Sequence, residues 1–370
     1  MTSVPARNRA RISIRVAPLA AALIAIVSLV ATSGHAAVSE WKRVTSPAAN
    51  SLSGVAAAAT DDVWTVGQSI SQQPFAAHWA GLKWKSVATP ALSSGGLFDA
   101  VAMTPSGDAW AVGSQFNGNG GSTTLAERWN GSAWQVFSTP NVYGLPTDYN
   151  ELIDVSVVAD DDVWAVGVAD RTGSREKSIV VHWDGANWTL SAPSGKLTSL
   201  SAVSMVSATY GLAVGQVSPP GMAVTASLGH GTWTAQRLSG SDGQLLHDVR
   251  ASSRKNAWAV GSQLVNGSSV PFVDHFVKGT GWTSVPPGTA DGGVFWALAA
   301  SASGDMWAVG TDFSNPDEPL ISHWDGSVWT RAEAPMGTDA ALLDVAFVPG
   351  SEEAWAVGGD ADGSMILHHP

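Results

Sequence analysis

Cysteine is absent from this 370-residue chain, and tyrosine is scarce, with only three residues. Without cysteine no disulfide can cross-link the fold, and no thiolate can ligate a metal or act as a nucleophile. Attachment of a lipid to a cysteine side chain and a copper site built on a Cys–Tyr cross-link are excluded for the same reason. The stability of the fold must therefore come from burial of apolar surface.

Basic residues are also few, especially beyond residue 36. The chain has nineteen Lys and Arg against thirty-one Asp and Glu, and four of the arginines lie between residues 7 and 15. The remainder therefore carries fifteen basic and thirty-one acidic residues, a formal charge of −16. Nucleic acid and anionic lipid surfaces attract clustered positive charge, which this sequence lacks, so neither is expected as a partner.

The first 36 residues differ in composition from everything that follows. The four arginines precede an apolar run over 16–31, and Gly34-His35-Ala36 offers a small-x-small cleavage site. This order predicts a signal peptide over 1–36 and a secreted, extracellular domain over 37–370. A retained membrane anchor is the alternative, but it needs about twenty apolar residues, and this shorter run contains Pro18. After cleavage no membrane association is expected.

A short motif, Trp-Ala-Val-Gly or a close variant, returns seven times with a period close to fifty. Its central residues are Trp64, Trp110, Trp164, Leu212, Trp258, Trp307 and Trp355. Each copy lies among four short runs that are rich in Val, Ile, Trp and Thr and are bounded by Gly, Asp, Asn, Ser or Pro, a composition typical of strands. Four strands per repeat of this length indicate the blades of a β-propeller.

The two ends of the repeat region indicate how the ring closes. Residues 39–47, SEWKRVTSP, match the fourth strand of the other repeats, whereas the chain stops after the third strand of the seventh repeat, SMILHHP over 364–370. Pairing these two segments would cover an exposed sheet edge. The sequence therefore predicts an all-β fold, a seven-bladed β-propeller of four-stranded antiparallel blades whose last blade is completed by the N-terminal strand.

Three turns carry a resemblance to known propellers. The segments NGSAW (130–134), DGANW (184–188) and DGSVW (325–329) resemble the Asp-box of sialidase-like propellers and of photosystem assembly factors, and the repeat as a whole is similar to kelch-type propellers and to exported proteins with tandem WAVG/HWDG repeats. In the Asp-box one residue separates Asp from Gly, whereas the two are adjacent here. The resemblance implies a structural hairpin role for these turns and no catalytic one.

The residue inventory favours a non-catalytic protein. A sialidase-like site would need converging arginines and a Tyr nucleophile paired with Glu, but the chain has only three tyrosines and no arginine recurs where the strands meet the axis. No serine nucleophile elbow or phosphate-binding loop is recognisable either. The histidines that recur in the third strands, such as His78 and His182, are expected to lie too far apart to share a metal. No cofactor, no metal and no catalytic residue is predicted.

These absences leave a monomeric binding or scaffolding protein with an unknown protein or glycan ligand as the primary hypothesis. A multivalent lectin is one alternative, and it would show equivalent pockets of aromatic and polar residues between blades. An exported hydrolase or lyase is the other. It would need an acid, a base and an arginine near the axis, where Asp154, Asp248 and Asp344 could converge.

The candidate binding residues come from the links that vary between repeats. These links emerge on one face of a four-stranded meander, and variable loops on a rigid scaffold commonly form binding surfaces. The longest of them combine both charge signs with two of the three tyrosines, and Trp296 is the one tryptophan outside the repeat pattern. The predicted residues are Tyr143, Asp148, Tyr149, Glu151, Arg171, Arg175, Glu176, Lys177 and Trp296.

Overall fold

The computed structural model describes residues 40–171, 176–191, 193, 197–217, 222–289 and 292–370, and every regular element in these ranges is a β-strand. The predicted signal peptide lies outside them. Within the same ranges, no helix is long and apolar enough to cross a membrane.

The described residues form 28 strands, numbered β1 to β28 in chain order. The first and second blades contain β2 (Ser51–Ala59), β3 (Asp62–Gln68), β4 (Pro74–Trp79) and β5 (Trp84–Val87), then β6 (Gly96–Met103), β7 (Ala109–Phe116), β8 (Ser122–Trp129) and β9 (Trp134–Phe137). The third and fourth contain β10 (Tyr149–Ala159), β11 (Asp162–Asp170), β12 (Lys177–Trp183) and β13 (Trp188–Leu190), then β14 (Ser199–Ser207), β15 (Tyr210–Val217), β16 (Met222–Gly229) and β17 (Thr232–Asp242). The fifth and sixth contain β18 (Gln244–Ser253), β19 (Asn256–Val265), β20 (Ser268–Val277) and β21 (Gly281–Ser284), then β22 (Gly293–Ala300), β23 (Met306–Asp312), β24 (Pro319–Trp324) and β25 (Trp329–Arg331). The seventh contains β26 (Ala341–Phe347), β27 (Ala354–Asp360), β28 (Gly363–His369) and β1 (Lys42–Val44).

The seven four-stranded antiparallel blades and the predicted closure are confirmed. Strand β1 pairs with β28 in the register Lys42↔His368, Arg43↔Leu367 and Val44↔Ile366. Blades 6 and 7 are joined into one eight-stranded sheet by the single pair Thr311↔Ala341, and each of the other blades is a separate sheet. The N-terminal segment therefore covers the edge that the C-terminal strand would otherwise expose.

Tryptophan pairs fill the contacts between blades. The second-strand indole of one blade packs against the fourth-strand indole of the next, as Trp110 does against Trp188 with ring centroids 5.1 Å apart and planes at 87°. Edge-to-face geometry is preferred because the ring edge is electropositive and the face electronegative. The pairs, named here the tryptophan frame, are Trp64–Trp134, Trp110–Trp188, Trp164–Trp233, Trp258–Trp329, Trp307–Trp41 and Trp355–Trp84.

The recurring histidines are structural, as the sequence indicated. In blade 3, His182 stacks on Trp164 at a centroid distance of 4.1 Å, and its Nε2 lies 2.8 Å from a carboxylate oxygen of Asp162. The same contacts recur in blade 1 with His78, Trp64 and Asp62. Each imidazole is therefore held within its own blade rather than shared between blades.

A close backbone contact explains why the repeated motif ends in glycine. Gly167 pairs with Leu152 of the innermost strand, and a Cβ at this glycine would collide with the carbonyl oxygen of Glu151. The register of the innermost strand shifts by one residue immediately after Leu152, which is the signature of a β-bulge. The close approach that only glycine allows thus coincides with a bulge, and this arrangement recurs in every blade.

Candidate functional site

A cavity of about 670 Å³ runs along the propeller axis and is lined by the innermost strands. In each blade, the bulge opposite the motif glycine adds one residue without a cross-strand partner, and this residue lies on the cavity lining. The seven residues, named here the bulge ring, are Ser53, Asp99, Ile153, Ser201, His247, Trp296 and Leu343. Bulges commonly redirect a side chain next to a functional site, and these lie near the start of each strand, where the variable links enter.

The bulge ring is diverse, whereas its flanks are uniform. The preceding position always holds Leu or Phe, and the residue two positions after the bulge is Val in every blade except blade 6, where it is Leu298. Between these constant positions the ring itself holds two serines, an acid, a histidine, an indole and two aliphatic side chains. The repeat therefore supplies the same scaffold seven times and varies the side chain that faces the axis.

Two aromatic residues of the bulge ring are in contact with each other. The centroids of the His247 and Trp296 rings lie 4.5 Å apart, and the Trp296 Nε1 donates to Thr311 Oγ1 at 3.0 Å. Burial lowers the pKa of His247 to about 4, so this imidazole is neutral at physiological pH. Together with Leu343, which is 37% exposed, they form an uncharged side of the ring.

Carboxyl groups form an acidic side of the site. The Asp99 carboxyl group of blade 2 lies beside the Glu151 carboxyl group of blade 3, and the Tyr149 hydroxyl also lies beside Glu151. Burial and the neighbouring Glu151 raise the pKa of Asp99 well above its usual value, and burial also raises that of Glu151. Oδ2 of Asp99 is buried without a hydrogen-bond partner among the described residues. This pair would gain from a cation, which would favour the charged form of both groups.

Deeper in the cavity, three aspartates surround one arginine. Arg250 Nη1 donates to Asp248 Oδ1 at 2.7 Å, and its charge also acts on Asp154 and Asp344. Burial raises the pKa of Asp154 to about 6 and that of Asp344 to about 7, against the lowering influence of Arg250.

The three aspartates predicted to converge near the axis therefore do so, but they bridge blades. One carboxylate oxygen of each accepts from the backbone N–H of the next residue, and the other accepts from the innermost strand of the following blade. The bonds between blades are Val203 N to Asp154, Leu298 N to Asp248 and Val55 N to Asp344, at 2.7, 2.7 and 2.8 Å. Both oxygens of each group thus hold backbone N–H groups in place.

The predicted loop patch contains a compact structural cluster. Asp148 is 1% exposed and accepts from Arg171 Nε and Nη2 at 3.0 and 2.8 Å, and its pKa is lowered mainly by these bonds. The Arg171 guanidinium lies 4.3 Å from the centroid of the Tyr143 ring, which is 9% exposed. The two long loops therefore meet as expected, but much of Tyr143 and Asp148 is buried in loop packing.

The other predicted residues lie in different surroundings. Lys177 is exposed, with its Nζ 5.1 Å from the Tyr143 ring centroid, and Glu176 lies beside it in the chain. Arg175 lies outside the described residues. The remaining three, Tyr149, Glu151 and Trp296, lie at or next to the axial site.

Sequence reasoning missed six residues of the bulge ring, Asp99 among them, and predicted only Trp296. The repeats contained a signal that could have found them. Two positions lie between a Leu or Phe and a nearly constant Val; the first differs widely between blades, whereas the second is always Gly, Ala or Asp. Among the described residues, no group of three or more His, Asp and Glu side chains could hold a metal ion.

The fold and the site define a seven-bladed β-propeller with a diverse ring of residues at its axis. No protein-family model and no curated protein matches the chain. Among solved structures, one described as YCF48 bound to D1 peptide aligns with a TM-score of 0.60 and 14% identity, over 89% of this chain and 97% of that chain. YCF48 from Cyanidioschyzon merolae aligns at 0.57 and 14% identity, over 90% and 99%, and Kuenenia stuttgartiensis hydrazine synthase at 0.63 and 10%, over 88% and 97%. The TM-scores show a shared fold, and at these low identities the likeness extends to the fold alone.

Proposed function

We propose that this chain is an exported, non-catalytic binding propeller that takes a basic segment of a partner protein at the mouth of its axial cavity. The observation that carries the proposal is the bulge ring, seven side chains of six types placed by the same backbone bulge around one cavity. Variation at positions that face a cavity, on a rigid repeated scaffold, is what ligand selection would produce.

Charge supports a basic partner. The Asp99–Glu151 pair lies at the ring, and the chain after residue 36 is strongly acidic. A Lys or Arg side chain placed at the pair would favour ionisation of both carboxyl groups, and His247 and Trp296 would contact its aliphatic part. A propeller of similar fold is described as bound to a peptide, which is consistent with a peptide segment as the ligand.

Geometry favours binding over hydrolysis. The carboxyl groups of a glycosidase flank the scissile bond at about 5 Å or more. The Asp99 and Glu151 carboxyl groups instead lie directly beside each other, and the three deeper aspartates are bonded to backbone N–H groups. Neither arrangement leaves room for a substrate between an acid and a base.

Selection from a displayed peptide library would test the proposal. We expect selected peptides to be rich in Lys or Arg, and synthetic copies to bind the Asp99→Asn, Glu151→Gln double variant at least about tenfold more weakly, the loss expected for a charge-assisted hydrogen bond. Asp362→Asn is the matched control because Asp362 is an exposed acid in the β27–β28 turn, away from the axis. Equal affinity of the double variant and the control would contradict the proposal.

Export is proposed with it. N-terminal sequencing of the protein in the culture medium should begin near Ala37, and a membrane-retained chain that keeps its first arginines would refute it.

A further inference from the structure

The contact between blades 4 and 5 departs from the tryptophan frame. At the other six contacts two indoles meet with centroids 5.1 to 6.0 Å apart. Here the second-strand position of blade 4 is Leu212, and Trp282 of blade 5 has Phe276 of its own blade as its aromatic neighbour, at 5.4 Å. Within the described residues, no indole pair bridges these two blades.

Blade 4 has also replaced the residues that accompany the missing indole. The register puts Tyr210 where Asp162 stands in blade 3 and Ser227 where His182 stands. Thr225 occupies a position that is apolar in the other blades, where it is Ala76, Ala126, Val180, Val273, Ile321 and Ile366. Two aromatic rings, an acid and an apolar side chain have thus been exchanged for an aliphatic side chain, a phenol and two hydroxyls.

A cavity of about 530 Å³ lies at this contact. Trp282 forms part of its wall and is half-buried, whereas the other fourth-strand tryptophans are at most 7% exposed. The facing strands contribute Thr225, Thr234 and Gln236 from blade 4, and blade 5 contributes Asp274. Asp274 is 5% exposed and accepts from Ser284 Oγ at 3.0 Å.

The composition of the cavity wall indicates a binding site rather than a packing defect. A simple loss of an indole would leave an apolar void, which is destabilising and attracts only apolar ligands. This wall instead combines one indole surface with hydroxyl, amide and carboxyl groups, and the volume falls in the range of small-molecule sites. Sugar rings present an apolar C–H face to stack on an indole and hydroxyls for the surrounding polar groups.

We propose that the cavity between blades 4 and 5 binds one pyranose ring of a glycan, stacked on Trp282 and hydrogen-bonded by Asp274 and the hydroxyl and amide side chains of blade 4. The site is distinct from the axial mouth. It lies between the two blades, from the short turn that contains Thr280 and Gly281 to Gln244 at the start of β18. The tryptophan frame fills the corresponding space at the other six contacts, so the site is single rather than repeated around the ring.

Rebuilding the missing tryptophan pair between blades 4 and 5 tests this proposal directly. The full chain is probed on a glycan array, and the affinity of the strongest glycan is measured by calorimetry. Leu212→Trp should place an indole in the cavity and abolish binding, while the melting temperature is maintained or raised because the missing aromatic pair is rebuilt. Asp274→Asn, which conserves shape, should weaken binding at least about tenfold. Tyr149→Ala at the axial mouth serves as the control and should leave glycan affinity unchanged.

Two outcomes overturn this inference. One is the failure of every glycan on the array to bind the unmodified chain. The other is undiminished glycan binding by both folded Leu212→Trp and Asp274→Asn. Peptide binding at the axial mouth, measured in the same variants, should be unaffected, so the two proposals fail or survive independently.

Discussion

The carboxylate of Asp344 in blade 7 accepts a hydrogen bond at 2.8 Å from the backbone N–H of Val55 in blade 1, 289 residues away. Its second oxygen accepts from the Val345 N–H, also at 2.8 Å. One side chain thus connects the innermost strands of the last and first blades at the axis. The ring is therefore closed at two radii, by this carboxylate at the centre and by β1 at the rim.

Asp344→Ala should destabilise the protein by about 2–4 kcal/mol, because two backbone N–H groups lose their acceptor and an unmet buried hydrogen bond costs about 1–3 kcal/mol. Thermal unfolding measures the effect. The exposed Asp362→Ala should change the free energy of unfolding by less than about 0.5 kcal/mol. Equal melting temperatures for the two variants would show that the axial bond contributes nothing to closure.

Deletion of residues 39–47 should destabilise the protein by several kcal/mol and expose an edge strand to association. The segment contains Trp41, which is 4% exposed and packs edge-on against Trp307 at 5.2 Å, and removing a buried Trp side chain costs about 3–5 kcal/mol. Unfolding and size-exclusion chromatography report both effects. A monomeric deletion variant with an unchanged melting temperature would be inconsistent with the closure.

The blades could be predicted because the repeat marks every strand with the same residues. Closure could be predicted because the spare strand at one end and the missing strand at the other are both visible in the sequence. The bulge ring was harder to predict, since a bulge adds an unpaired residue that interrupts the alternation of a strand, and only the variation of that position between blades marks it in the sequence. Trp296 was predicted because it is the one tryptophan outside the repeat pattern. The sequence also does not show that Leu212 leaves a cavity, because a single Trp-to-Leu change normally indicates only a variant of the core.

The loop patch shows why charge and loop length alone predict a site poorly. A long loop must satisfy its own backbone, and Asp148 does so by accepting from the Leu145 N–H at 2.6 Å as well as from Arg171. The charged and aromatic residues that indicated a binding surface are partly needed to fold the loop itself. Tyr149 and Glu151, four residues or fewer from this cluster, face the axial site instead.

Arg171→Ala should lower the melting temperature, because it removes both guanidinium hydrogen bonds from the Asp148 carboxylate, which the loop encloses. Lys177→Ala is the matched control, since Lys177 also lies over the Tyr143 ring but is exposed, so its loss should cost about 0.5 kcal/mol or less. Arg171 lowers the pKa of Asp148, so the difference should be present at neutral pH and fade as acid protonates Asp148. Equal effects of the two substitutions across that range would contradict this role.

The last prediction concerns Glu127 in β8, which is fully buried and has no hydrogen-bond partner for either carboxyl oxygen among the described residues. Burial raises its pKa from 4.5 to about 8. A carboxyl group whose pKa is higher in the folded state binds its proton more tightly there, so its contribution to stability is lost as pH rises from about 4.5 to about 8. Burial also raises the pKa values of Asp154 and Asp344, so their contributions to stability are likewise lost as pH rises, over a lower range. The pKa of His247 is lowered, so its contribution to stability is lost instead as pH falls below about 6.5.

When Glu127→Gln is compared with the unmodified chain, the contributions of these other titratable groups to stability cancel, because both proteins contain them. Near pH 4 the carboxyl group is largely protonated in both the folded and the unfolded state and resembles the amide in shape and charge, so the two proteins should have similar free energies of unfolding. Near pH 9 the unmodified chain must hold a buried charge, and each unit of pKa shift corresponds to about 1.4 kcal/mol, so the Gln variant should be more stable by a few kcal/mol. Urea unfolding at the two pH values measures the difference. A constant difference between them would mean that Glu127 is ionised and stabilised throughout, by a partner that the described residues do not include.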